Sequence, residues 1–359
     1  MPKRRTLSIW NSAFTRIFHN MARTASRAGS KAIAKTLKNA STAVKPKTAK
    51  ATGGAVRAGW TSGSALGATG VRHYRLYKPP GTRRTERLPL MVMLHGCGQN
   101  AETFAQCTRM NRLAANKRFI VLYPEQERMS NAQNCWNWFD TRSGRAQREA
   151  DSIDAAINHA CLLQPIDRDR IVLAGLSAGA GMAALLAVRN PARYRAVAMH
   201  SGVPPGLAHS SATAVLAMRG RKLAGAPLPI GTLLPALLVI HGGNDPVVAS
   251  GNALLAARLW AAQKSAKPCA ARTVRRGARY PMTITDYRVR GRLAVTLCEV
   301  DGLGHAWSGG ASGQAYSDAR GPDASGMIWA FAKKQFDAEA GECPQMKGVL
   351  DDGSRRPAG

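Results

Sequence analysis

Gly175-Leu176-Ser177-Ala178-Gly179 is a G-x-S-x-G pentapeptide. The apolar run Ile171-Val172-Leu173-Ala174 precedes it, and the Ala-rich stretch 180–188 follows. That order reads as strand, sharp turn, helix, the context in which this pattern forms a nucleophile elbow. Such a turn holds its serine in a strained backbone conformation with Oγ projecting. A Cβ at either flanking position would meet the neighbouring strand or helix, hence the glycines. Ser177 is the candidate nucleophile. The helix opening at Ala178 aims its N-terminus at the same point, so the Ala178 N–H is a candidate donor to a developing oxyanion. A Gly/Ala-rich turn also arises by chance, so the chemistry has to be sought in what accompanies it.

A serine needs a base, and the base needs an acid to orient it. Residues 236–241 form a buried-strand pattern that ends in Gly242-Gly243-Asn244-Asp245. A carboxylate just past a strand end suits the acid, and Asp245 is the candidate. Residues 294–297 form another strand, followed by Gly302-Leu303-Gly304-His305-Ala306-Trp307. His305 is the candidate base. The order Ser, Asp, His is that of the α/β-hydrolase layout. Asp301 competes for the acid's place, but it shares a loop with His305, whereas the usual acid follows the preceding strand. Upstream, the strand 88–94 runs into His95-Gly96-Cys97-Gly98-Gln99-Asn100. An H-G-x turn there supplies a second oxyanion donor, the Cys97 N–H. In this scheme His305 takes the Ser177 proton during attack on an ester carbonyl, and Asp245 fixes the imidazole. Water activated by His305 then hydrolyses the acyl-enzyme. The scheme uses no metal and no cofactor. His95 is expected to shape the oxyanion loop and border the substrate. His241 is expected to be structural or to stand just behind the reacting groups, His159 to be a surface or packing residue on a helix, and His200 either to line the cleft or not. Trp307, Trp136 and Trp138 lie in loops on the catalytic side; Trp307 and Trp136 are candidate substrate contacts, unless they bury beneath those loops.

Elements must place these groups. Strand patterns cover 71–77, 88–94, 119–123, 171–176, 196–200, 236–241 and 294–300, with 283–289 a further candidate to pair with the last. Helical patterns cover 102–116, 148–163, 178–190, 251–264 and 323–334. The alternation predicts an α/β fold: a mostly parallel central sheet with helices on both faces. Residues 204–233 form either a cap over the cleft or a plain surface excursion.

Several longer strings are more specific. Gly96-Cys97-Gly98-Gln99-Asn100, Thr108-Arg109-Met110-Asn111, Leu122-Tyr123-Pro124-Glu125-Gln126 and Cys135-Trp136-Asn137-Trp138-Phe139-Asp140 stand in this order. So do residues 174–179, His200-Ser201-Gly202, residues 302–310 and Gly321-Pro322-Asp323-Ala324-Ser325. With them the chain resembles the polyhydroxybutyrate (PHB) depolymerase family of esterases, related to feruloyl and acetylxylan esterases, over about residues 70–335. The resemblance implies an α/β-hydrolase fold, a triad of Ser177, His305 and Asp245, and esters of short 3-hydroxyacids as substrates. It also suggests an extracellular location. The acid loop departs from many relatives in its second residue. No substrate-binding domain or Thr-rich linker follows the catalytic stretch, which turns the expectation toward soluble oligomers, amorphous polymer or another short acyl ester. A carbohydrate esterase is the alternative on the same framework; a binding protein on a vestigial hydrolase fold would require a broken triad.

The 359 residues carry a formal charge of +30, and the first 60 hold 13 Lys/Arg with no Asp/Glu. Leu7, Trp10, Phe14, Ile17, Phe18 and Met21 recur there at helical spacing, a basic amphipathic pattern. Three domains of organisation are expected: a basic arm over 1–60, a catalytic domain over 61–338 and a loose tail over 339–359. The arm suits contact with a granule or anionic surface; non-specific phosphate contact or a merely solvated arm are the other readings. No run is long enough to span a bilayer, and no signal-peptide core is readable. A cytoplasmic or granule-associated protein is therefore the alternative to an extracellular one. Seven cysteines leave at least one unpaired. Cys97 and Cys135 border the expected cleft, either as a disulfide, which would favour an oxidising compartment, or as buried thiols.

Overall fold

The computed structural model describes residues 59–221 and 234–340. The basic arm up to residue 58, part of the 204–233 excursion and the tail beyond 340 lie outside the described residues. The strands are β1 (Trp60–Gly67), β2 (Gly70–Tyr77), β3 (Leu88–Leu94), β4 (Ile120–Pro124), β5 (Ile166–Leu176), β6 (Ala196–His200), β7 (Ala236–Gly242), β8 (Lys267–Pro268), β9 (Arg272–Val274), β10 (Met282–Val289), β11 (Arg292–Val300), β12 (Trp307–Ser308) and β13 (Ser317–Asp318). The helices, renumbered in chain order, are α1 (Ala101–Thr108), α2 (Met110–Lys117), α3 (Arg145–Leu163), α4 (Ala178–Arg189), α5 (Ser211–Met218), α6 (Gly251–Gln263) and α7 (Ala324–Ala340).

The main sheet has the order β1-β2-β4-β3-β5-β6-β7-β11-β10-β8, with β9 also on β10. Its centre, β4-β3-β5-β6-β7-β11, is parallel. Antiparallel pairs close both ends. Central strands are apolar throughout because both faces are covered. Every residue of β3, β4, β6 and β7 is buried. Two apolar clusters, one on each face, separate cleanly by alternation along the strands. Leu90, Val92 and Leu94 of β3 enter one, and Met91 and Met93 enter the other. α4 is buried almost all round, which its Gly/Ala composition permits. A Cβ on Gly181 would sit 3.0 Å from the Trp138 ring. No helix among the described residues is long and apolar enough to cross a membrane.

The short strands β8, β9, β12 and β13 were not foreseen, and two larger differences from the sequence reading have identifiable causes. The helix expected over 102–116 is two helices, broken at Arg109 in the left-handed region (φ 54°). The break has a tertiary cause. The Cys107 carbonyl accepts from the Ala311 N–H (2.9 Å), and the Thr108 carbonyl accepts from Ser325 Oγ (2.6 Å). Apolar periodicity carries no trace of such distant partners. β1, not foreseen in its Ser/Gly-containing sequence, pairs along its full length with β2, from Trp60↔Tyr77 to Gly67↔Gly70. Its strand state comes from that pairing and not from intrinsic propensity. The 204–233 excursion contains α5, opened by a reciprocal Ser210–Thr213 capping box.

Candidate active site

Ser177 stands between β5 and α4 with φ 56° and ψ −118°, a conformation costly for a residue with a side chain. Tight neighbours hold it there. A Cβ on Gly175 would come within 2.3 Å of the Gly179 backbone, and one on Gly179 within 2.1 Å of the Leu94 carbonyl oxygen. β3, β5 and α4 therefore meet backbone to backbone at the turn. The Ser177 N–H donates to the His200 carbonyl (2.9 Å), and its own carbonyl accepts from Ala180 and Gly181. The Ala178 N–H, at the helix start, faces no protein acceptor among the described residues.

The neighbouring parallel strands deliver the other two groups. Asp245 follows β7 and His305 follows β11. Asp245 Oδ2 lies 2.8 Å from His305 Nδ1, while Oδ1 accepts the Val247 and Val248 N–H groups at 2.9 Å each. The carboxylate is fully buried. Burial alone would raise its pKa. Hydrogen bonds from His241 and His305 outweigh that and hold it well below the usual carboxylate range. His241 Nε2 donates to the Val248 carbonyl (2.9 Å) and lies 3.4 Å from Asp245 Oδ2. The expected structural role of His241 thus takes a definite form: it braces the acid loop. With Nδ1–H directed at Asp245, the His305 imidazole keeps Nε2 as its free nitrogen. Asp301 is exposed and has no bond to His305. Gly242 lets β7 close on the histidine loop, since a Cβ there would be 2.2 Å from the Leu303 carbonyl oxygen.

The third loop is bound at nearly every amide. The Gly96 N–H donates to Gln99 Oε1 (2.9 Å), Gly98 to the Gln133 carbonyl (2.8 Å) and Gln99 to the Gly96 carbonyl (3.2 Å). Among the described residues, the Cys97 N–H is left over. Cys97 and Cys135 form a disulfide across a separation of 38 residues, which tethers this loop to the Trp136 segment. Cys107, Cys161 and Cys298 are buried thiols and Cys269 is an exposed one.

Ser177, Ala178 and both half-cystines line one crevice with Trp138, Phe139, Val203, Met218 and Val248. It encloses about 310 Å³ including its mouth, at the small end for a ligand pocket. The wall is mostly apolar and the space is narrow. A larger, more polar crevice lies elsewhere, between the β1–β2 turn and the start of α3, and contains none of these groups. The aromatic residues sort themselves by burial. Trp138 borders the crevice. Trp307 and Trp136 are fully buried and hold loops instead. The Trp307 Nε1–H donates to Ser325 Oγ (3.1 Å), and the ring stacks on His200 at 5.0 Å. The Trp136 Nε1–H donates to the His95 carbonyl (3.0 Å). His95 and His200 are buried as well; His200 Nε2 accepts the Ser308 N–H (3.1 Å) behind the His305 loop. Val248 and Met218, which the sequence reading missed, carry no signal that separates them from ordinary core residues. Trp138 could have been weighed above Trp136 only by knowing which ring faces the serine.

Burial lowers the pKa of His95 from the ordinary histidine range to about 4 and that of His200 to about 3. Both would titrate near ~6.5 in the unfolded chain. Below that pH the unfolded chain binds more protons, so the stability they confer is complete above ~6.5 and is lost as pH falls through the folded values. Together the two sites are worth several kcal/mol, at about 1.4 kcal/mol per pH unit each. Thermal unfolding should therefore show Tm declining steadily from about pH 6.5 downward. A Tm unchanged down to pH 4 would mean that neither ring is held neutral.

The sequence profile of the family described as "Esterase PHB depolymerase" matches residues 72–261, just over half of the chain. The match includes Ser177 and Asp245 and stops before His305. Poly(3-hydroxyalkanoate) depolymerase C of Paucimonas lemoignei is 29% identical over 196 residues, 51% of this chain and 47% of that protein. Feruloyl esterase B of Neurospora crassa is 30% identical over 131 residues, 36% of this chain and 44% of that protein. Acetylxylan esterase of Coprinopsis cinerea is 31% identical over 134 residues, 36% and 35% respectively. The chain thus spans less than half the length of these curated relatives. The structure of the acetyl xylan esterase from Aspergillus awamori superposes with a TM-score of 0.55 at 17% identity, over 68% of this chain and 94% of that one. That likeness is one of fold. The six-stranded parallel centre, with the serine turn after β5 and the acid and histidine loops after β7 and β11, is the α/β-hydrolase fold. By sequence pattern and fold together, this chain belongs to the PHB depolymerase family of esterases.

Proposed function

We propose that this protein is a serine esterase acting on short-chain hydroxyacyl esters of the oligo- or poly-3-hydroxybutyrate type. The observation that carries the reading is the 2.8 Å Asp245–His305 pair, whose carboxylate is held by the Val247 and Val248 N–H groups, Val248 also lining the crevice that Ser177 lines. His305 Nε2 accepts the Ser177 proton as Oγ attacks the ester carbonyl. The C–O bond of the tetrahedral intermediate then breaks, and the leaving alcohol takes the same proton from His305. Asp245 stabilises the imidazolium in between. The Cys97 and Ala178 N–H groups receive the oxyanion, since both are unspent donors on rigid turns. Water repeats the sequence on the acyl-enzyme. The narrow apolar crevice favours a short acyl chain over a long one. The named activities of the relatives support two substrate classes, hydroxyalkanoate and carbohydrate esters.

The test is hydrolysis of p-nitrophenyl butyrate, 3-hydroxybutyrate oligomers, amorphous PHB and methyl ferulate, with Ser177→Ala protein as control. Release of 3-hydroxybutyrate that disappears in the control supports the hydroxyalkanoate reading. Turnover of methyl ferulate alone moves the protein to the carbohydrate esterases. The Cys97–Cys135 disulfide favours an oxidising, extracellular setting. The basic, amphipathic pattern of residues 1–60 supports docking on a granule or anionic surface. Deletion of residues 1–58, which spares β1, should leave turnover of soluble esters unchanged and weaken binding to granules and anionic vesicles. Undiminished binding would remove that role from the arm.

A further inference from the structure

A buried polar relay lies behind the loop that carries the Cys97 N–H. Arg72 of β2, Gln126 just past β4, Asn137 in the disulfide-linked segment and Glu149 of α3 form it, each less than a tenth exposed. The Gln126 amide bridges the two charges. Its Oε1 accepts from Arg72 Nη1 (3.0 Å), and its Nε2 donates to Glu149 Oε1 (2.8 Å) and to the Cys135 carbonyl (2.9 Å). Its backbone N–H donates to His95 Nε2 (3.2 Å), while His95 Nδ1 donates to the Gly96 carbonyl (2.9 Å). Glu149 also accepts from the Asn137 backbone N–H (2.8 Å) and from the Asn137 side chain. Arg72 holds the Glu125 carbonyl (2.7 Å) and lies over the ring of Trp136, whose Nε1 holds the His95 carbonyl.

Burying a guanidinium and a carboxylate adds little net stability over a well-packed apolar core. What such a fully bonded network does supply is fixed geometry. Arg72 anchors the network on the Glu125 carbonyl and Ser152 Oγ, and the bonds of Gln126 and Glu149 reach both segments joined by the disulfide: His95, two residues before Cys97, and Cys135 and Asn137. Glu149 is the group on which the donors converge, and it lines no part of the Ser177 crevice.

We infer that Glu149 is a positioning residue that, through Gln126 and Asn137, sets where the Cys97 N–H points in the transition state. The inference rests on the oxyanion role proposed above for that N–H. Displacing one such donor weakens transition-state binding and leaves ground-state binding nearly intact. Glu149→Gln should therefore lower kcat on p-nitrophenyl butyrate about ten- to a hundredfold. KM should stay within about twofold. The loss must persist per active site, counted by stoichiometric labelling of Ser177 with a fluorophosphonate. Glu149→Asp, which keeps the charge but withdraws the carboxylate, should show the same split and serves if the glutamine variant fails to fold. Asp154→Asn is the control for plain destabilisation. Asp154 sits on the same helix, is buried, and is bonded to Tyr194 and Asn190 away from the loop. It should lower Tm and leave kcat per labelled site unchanged. Wild-type kcat per labelled site in the Glu149 variants, or a loss no larger than that of Asp154→Asn, would overturn the inference. Turnover surviving Ser177→Ala would instead remove the serine-nucleophile mechanism on which the oxyanion role rests.

Discussion

Ser177→Ala should lower kcat for ester hydrolysis by about a million-fold, with KM and Tm little changed. The expected size follows from what the side chain touches. Ser177 Oγ makes the enzyme's only covalent bond to the substrate in the proposed sequence, so its loss leaves just the background that two N–H donors and binding supply. The fold should tolerate the change, because alanine keeps the Cβ and the elbow is held by backbone contacts. Gly175 and Gly179 set those contacts, and the Ser177 N–H and carbonyl both stay bonded. Fluorophosphonate labelling should vanish together with turnover. Activity near that of the wild type would refute the nucleophile assignment, and a collapse of Tm would show that the hydroxyl has a structural role the contacts do not reveal.

Asp245→Asn should lower kcat by about ten-thousand-fold, while Asp301→Asn leaves it within about twofold. The Asp245 carboxylate takes two backbone N–H groups on Oδ1 and His305 Nδ1 on Oδ2. An amide has one acceptor oxygen. If that oxygen stays with Val247 and Val248, the NH2 group faces His305 Nδ1 and forces the imidazole proton onto Nε2. The base then has no lone pair for the serine. Asp301 offers no such bond, being exposed at the loop surface. Steady-state kinetics on the two variants, with Tm as a check on folding, decides between the acids. The reverse order of effects would move the acid to position 301.

The candidate site was legible in the sequence because α/β-hydrolase sites are built at strand ends, where each candidate residue has its own short local signature. The Gly-x-Ser-x-Gly turn, the Gly-rich acid loop after a buried strand and the Gly-flanked histidine each state their position without reference to the others. The parallel strands were legible for a related reason: cover on both faces makes them continuous apolar runs, as in β3 and β7. The antiparallel edge strand β1 was not, since its state depends on a partner and not on its composition.

The sequence by itself determined the Gly-x-Ser-x-Gly turn, the order of the candidate groups and the family, all of which are local strings in a fixed order. Only the tertiary structure decided which of Asp245 and Asp301 bonds His305, whether Cys97 and Cys135 are a disulfide or thiols, and which of Trp138 and its neighbours borders the crevice. It alone gathered Arg72, Gln126, Asn137 and Glu149 behind one loop. The physical reason is common to all four. Each depends on which groups from distant segments approach within bonding distance, and on which side of a loop is left to solvent. Those distances are fixed by packing around the sheet, and no residue carries them in its type or its spacing.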